Sequence, residues 1–125
     1  MVELSGRPLT LEEIASVARG KSGTFLSTSA AERVRATRAV VERVLDRGDV
    51  VYGVNTGFGK LADIRIPDSE LEALQMNLVR SHACGLGAPL SEQETRALML
   101  LRANVLALGY SGCRVELCRT VSFKR

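Results

Sequence analysis

One histidine, three cysteines and no long apolar run set the first limits on this 125-residue chain. A single imidazole and scattered carboxylates do not supply three or four ligands at usable spacing, so no metal site is expected. Three cysteines are an odd count, and Cys113 and Cys118, with four residues between them, form neither a CxxC pair nor half of a common zinc site. Reduced thiols are therefore expected rather than a disulfide framework. No stretch of eighteen apolar residues is present, which speaks against a membrane partner. Met1 to Arg7 lacks the basic flank and apolar stretch of a signal peptide, so a cytoplasmic location is expected.

Charge of one sign is also scarce. Residues 1–112 hold thirteen basic and thirteen acidic side chains, and the whole net charge of +3 lies in Cys113 to Arg125. A nucleic-acid partner needs a basic stripe on the folded body, and none is visible, so no nucleic acid is expected.

What is present is helix-forming sequence, 46% hydrophobic overall and sufficient for one domain with a core. Thr10 with Glu13, Ser29 with Glu32 and Ser91 with Glu94 each have the spacing of a capping box. They predict helices to about Arg19, from about Ala30 to Arg47, and over Glu92 to Leu108. Gly48 stands where a left-handed cap is expected after the second. There Val34, Thr37, Val41, Val44 and Leu45 recur at helical steps, and the arginines between them have acidic neighbours, which favours a solvated face over phosphate binding. A further helix, about Asp68 to Ala83, carries Leu71, Leu74 and Leu78 in line with His82. The last helix is apolar on nearly every side from Ala97, interrupted by Arg102 and Asn104. Such a helix belongs inside a larger body or a subunit interface.

The most informative segment is Tyr52-Gly53-Val54-Asn55-Thr56-Gly57-Phe58-Gly59-Lys60-Leu61. The β-like run Val50–Val54 leads into it and Ile64 and Ile66 follow, so a short strand or hairpin is expected around it. It is not a P-loop, because the glycine spacing is too long by one and Leu61 follows Lys60 where a hydroxyl is required. It is not a dinucleotide fingerprint, because Ile64, Ile66 and Pro67 prevent the helix that must open there. A mobile glycine loop led by a phenol remains. Tyrosine acts as a base only where its surroundings lower its pKa, and a closing lid supplies such surroundings. The plainer reading of Tyr52 is a strand end packed on the core, and that of His82 a satisfied core histidine.

The loop, Asn77-Leu78-Val79-Arg80-Ser81-His82-Ala83-Cys84-Gly85, Leu101 to Ala107 and Gly109-Tyr110-Ser111-Gly112 together resemble the aromatic amino acid ammonia-lyases, in order and at similar spacing. The likeness covers most of residues 1–112 and is nearest to the histidine-deaminating members. It implies a mainly α fold, the helical N-terminal domain of such an enzyme over 1–112 with about four helices, whereas 113–125, with no clear amphipathic period and a charged end, is expected to be an atypical, irregular basic tail. It also implies Tyr52 as catalytic base, Gly53, Asn55, Gly57, Phe58 and Gly59 as its lid, and Ser81 and His82 as contacts to a histidine substrate. The family is homo-oligomeric and uses a methylidene-imidazolone (MIO) electrophile made from Ala-Ser-Gly. That tripeptide is absent here: Leu4-Ser5-Gly6, Lys21-Ser22-Gly23 and Tyr110-Ser111-Gly112 all lack the alanine. The expectation is a truncated, catalytically silent chain, with a non-catalytic helical interaction module as the alternative.

Overall fold

Two of the three expected capping boxes close in the computed structural model, which describes residues 1–120. Thr10 Oγ1 accepts the Glu13 N–H at 3.2 Å, and the Thr10 N–H donates to Glu13 Oε2 at 2.9 Å, opening α1 (Leu11–Ala18). Ser91 and Glu94 repeat the exchange at 3.3 and 2.8 Å, opening α4 (Glu92–Leu106). The third box is displaced. α2 (Thr28–Arg47) starts earlier than expected, and Ser27 caps it by accepting the Ala30 N–H at 3.2 Å, so Ser29 lies inside the first turn. Gly48 takes the left-handed cap after α2, with φ 71°.

The chain divides into two compact units, one holding residues 1–40 and those from 90 onward, the other residues 41–89. The first contains a feature absent from the sequence reading: β1 (Val2–Leu4) pairs in parallel with β2 (Thr24–Leu26), in the register Val2 to Thr24. Parallel neighbours need a crossover, and α1 provides it. Three-residue strands are too short to show a period of two, which is why composition concealed them.

Val2, Leu4, Val17, Ala30, Leu100, Ala103 and Ala107 form one buried cluster, and Ala31, Val34, Leu106, Val115 and Cys118 another. The last two residues belong to α5 (Val115–Thr120). The tail expected to be irregular over 113–125 is therefore helical over these residues, because Val115 and Cys118 supply a buried face. Positions 121–125 lie outside the described residues.

The polar interruptions of α4 are structural. Asn104 accepts the Gly6 N–H at 3.1 Å and donates to the Arg7 carbonyl at 2.8 Å. Arg33, on the expected solvated face of α2, donates to the carbonyls of Ser5 at 2.7 Å and Ala107 at 3.1 Å. Beside it Gly109, at φ 82°, has no room for a side chain: a Cβ there would lie 2.8 Å from Arg33 Cβ. The opposite face of α4 exposes Leu98, Leu101 and Val105, with Leu108 beyond its end.

In the second unit, a 3₁₀ turn (Asp68–Glu70) precedes α3 (Leu71–His82). The hairpin expected around the glycine loop reduces to one antiparallel bridge, Thr56 to Arg65. Val50–Val54 is not a strand; residues 52–54 turn instead.

Two outcomes follow from this packing. Gly109→Ala should lower unfolding free energy by about 2 kcal/mol or more, from left-handed strain plus the clash with Arg33, read from the urea midpoint. Unchanged stability would contradict the close approach. At the start of α1, hydrogen bonds from Arg7 and then from the Thr10 N–H hold the Glu13 carboxyl down to about 2, against its ordinary 4.5. The folded value is the lower one, so this contribution is present above pH 4.5 and disappears as pH falls toward 2. A carboxyl carbon NMR titration should place the Glu13 midpoint near 2 and see it rise in Arg7→Ala.

Candidate active site

The glycine loop is built on Asn55, which is fully buried. Its Oδ1 accepts the Val51 N–H at 2.9 Å, and its Nδ2 donates to the Asp49 carbonyl at 2.7 Å. Its own carbonyl accepts the Ile66 N–H at 2.9 Å, so one residue ties the entry of the loop to its exit. Thr56, also buried, donates through Oγ1 to the Gly57 carbonyl at 3.0 Å, and the Gly57 N–H reaches the Ile64 carbonyl at 3.1 Å. A buried amide with both ends satisfied makes a rigid base, because breaking either bond leaves a polar group without its partner.

The three loop glycines have different reasons to be glycine. Gly53 and Gly59 take φ of 77° and 60° with open space where a Cβ would go, so they are needed for backbone conformation. Gly57 is needed for space: a Cβ there would lie 2.6 Å from Leu61 Cβ and 2.8 Å from the Leu61 carbonyl oxygen. Gly59 also begins the 3₁₀ turn Gly59–Leu61.

Above this base stands Tyr52, 65% exposed and not packed on the core. Its ring meets that of half-buried Phe58 edge-on, with centroids 6.3 Å apart and planes at 73°. The expected lid residues therefore divide into a rim beside Tyr52 (Gly53, Gly59), an aromatic prop (Phe58) and a buried floor (Asn55, Gly57).

Ser81 and His82 close the last turn of α3, and both are exposed, so His82 is not a core histidine. Ser81 Oγ donates to the Leu78 carbonyl at 2.8 Å and lies 3.1 Å from His82 Nδ1. His82 Nδ1 is itself 2.9 Å from the same carbonyl. A carbonyl only accepts, so the network assigns the neutral ring's proton to Nδ1 and leaves Nε2 as an acceptor. That orientation suits contact with an N–H on a ligand.

Among the described residues, no hydrogen bond, ion pair or ring contact joins the Tyr52–Phe58 pair to the Ser81–His82 pair. An open concavity of about 410 Å³ lies along α3, lined by Ser69, Glu72, Ala73, Met76, Asn77 and Arg80, and includes none of those four. Among the described residues no group of His, Cys, Asp or Glu is placed to hold a metal ion, and no helix is long and apolar enough to cross a membrane. The structural part of Asn55 and Thr56 escaped the sequence reading, which had only the polar pair between glycines as a signal.

The family model for aromatic amino acid lyases matches residues 9–122. Histidine ammonia-lyase of Anaeromyxobacter sp. (strain K) is 57% identical over 111 residues, which are 89% of this chain and 22% of that protein. That of Caldanaerobacter subterraneus subsp. tengcongensis is 48% identical over 120 residues, 96% of this chain and 24% of that protein. Among solved structures, histidine ammonia-lyase from Trypanosoma cruzi is similar with a TM-score of 0.87 at 37% identity, over 96% of this chain and 23% of that one. The ergothioneine-degrading ergothionase of Treponema denticola reaches 0.89 at 32% identity, over 96% and 24%. The chain thus spans under a quarter of the length of these relatives, and residues 113–122 fall within the family match.

Asn55→Ala should cost about 1–2 kcal/mol by stripping the Val51 N–H and Asp49 carbonyl of their partner. Hydrogen exchange should quicken at the Val51 and Ile66 amides while α4 stays protected. Unaltered exchange at both amides would show that the loop does not depend on Asn55.

Proposed function

This chain belongs to the aromatic amino acid lyase family, and from that premise we propose that it carries the base and the imidazole contact of a site that converts histidine to urocanate and ammonia. Tyr52 takes the β-proton, the rim glycines Gly53 and Gly59 let the loop close over the substrate, and His82, set by Ser81, offers Nε2 to the substrate's ring N–H. The observation that carries the histidine assignment is the shared Leu78 carbonyl, which engages both Ser81 Oγ and His82 Nδ1 and leaves the second ring nitrogen available. The identity to histidine ammonia-lyases over this region supports the same reading.

The residues present do not fit the family's MIO group. No Ala-Ser-Gly occurs in the 125 residues, and the Ser-Gly steps that do occur are committed elsewhere. Gly6 gives its N–H to Asn104, the Gly23 carbonyl accepts from Val2, and Gly112 is buried beside α5. No step is assigned to that group in this chain. In this reading the electrophile comes from polypeptide outside these residues, within a cytoplasmic homo-oligomer, and the 125 residues alone do not turn over histidine.

A second reading, a non-catalytic helical interaction module, draws on the exposed apolar face of Leu98, Leu101, Val105 and Leu108. A single complementation experiment separates the two. Mixed with a polypeptide supplying the remaining length of a histidine ammonia-lyase, this chain should restore urocanate formation, followed by ultraviolet absorbance. Tyr52→Phe should lower the restored rate by about 10²–10⁴-fold, and His82→Leu should act mainly on KM for histidine. A stable complex without urocanate would favour the interaction module; full activity with Tyr52→Phe would remove the base assignment.

A further inference from the structure

Cys113 and Cys118 are too far apart in sequence for a CxxC motif, yet their sulfurs lie 3.8 Å apart. The reason is local. Cys113 stands two residues before the first residue of α5, and Cys118 is the fourth residue of that helix. These are the positions of a hydrophobic staple, where a side chain ahead of the helix folds back onto its first turn. Here both members of the staple are thiols. Cys118 is fully buried with Val115, Ala31, Val34 and Leu106, whereas Cys113 is half-buried at the edge of the same cluster.

We propose that this pair is a reversible oxidation site, closing to an intramolecular Cys113–Cys118 disulfide with hydrogen peroxide as the oxidant. A disulfide requires the sulfurs to approach from the 3.8 Å seen here to about 2.05 Å. Cys113, the accessible member, attacks peroxide, the O–O bond breaks, and Cys113 becomes a sulfenic acid as hydroxide leaves. Cys118 sulfur then displaces that oxygen as water and forms the S–S bond. Overall, two thiols and one peroxide give one disulfide and two waters; each sulfur is oxidised by one electron and the peroxide oxygens are reduced. Burial, and then the hydrogen bond with Cys113, push the Cys118 thiol up to about 11, consistent with a resolving rather than an initiating part. Closure pins the first turn of α5 to the segment that precedes it, and a dithiol reductant reverses it.

The sequence provides a convenient assay. Trypsin cuts after Arg102, Arg114 and Arg119, so the two cysteines fall in separate peptides, 103–114 and 115–119. The whole native chain is treated with hydrogen peroxide until exposed Cys84 is consumed, alkylated in denaturant, and digested without reduction. Most of peptide 115–119 should then be found joined to 103–114, lighter by two hydrogens than their sum, and dithiothreitol should restore both thiols. In Cys113→Ser, Cys118 should be recovered alkylated. Recovery of wild-type Cys118 as an alkylated thiol after Cys113 has oxidised would overturn the proposal, as would Cys113 joined to Cys84 or advanced to sulfinic acid without a cross-link.

Discussion

The first unit depends on one guanidinium. Arg33 leaves the surface of α2 to bind the Ser5 carbonyl on one side and the Ala107 carbonyl on the other. Charge-assisted bonds of this kind are stronger than neutral ones, and here they hold three segments that are far apart in sequence. The approach is possible because Gly109 has no side chain to meet Arg33. From that turn the chain runs on to α5, whose buried Val115 and Cys118 complete the second hydrophobic cluster. The Gly109 to Gly112 motif, which on sequence alone looked like part of a family signature, is therefore what directs the chain out of α4.

The second unit uses the same strategy with an amide. Asn55 spends its side chain on two backbone groups and so holds both ends of the glycine loop, while Tyr52 stays outside. The loop thus has a buried, hydrogen-bonded floor and an exposed rim. At the end of α3 the Leu78 carbonyl has a comparable part, orienting an imidazole that is otherwise open to solvent.

Much of this was legible in the sequence. Capping boxes are short-range chemistry, and those at Thr10 and Ser91 formed as their spacing required. Ser29 failed because Ser27, two residues earlier, caps the Ala30 N–H and starts the helix at Thr28, which leaves Ser29 inside the first turn. The loop glycines announced unusual backbone, yet only coordinates separate Gly57, which is about space, from Gly53 and Gly59, which are about φ. Long-range pairings had no local signature: the β1–β2 pairing, the Asn104 ties and the burial of α5 each depend on a partner distant in the chain. The apolar face of α4 was legible as composition, and Leu98, Leu101 and Val105 place it at the surface.

The ties between Asn104 and residues 6 and 7 link positions 98 and 97 apart. At ordinary synthesis rates, roughly 5–20 s separate the two ends as they emerge from the ribosome. Throughout that interval β1 and the segment after it have no α4 to receive them, and Leu4, fully buried in the finished unit, is left to solvent or to a chaperone. The discontinuous layout of this unit thus makes its birth a waiting problem, in which β1 is made well before the helix that houses it.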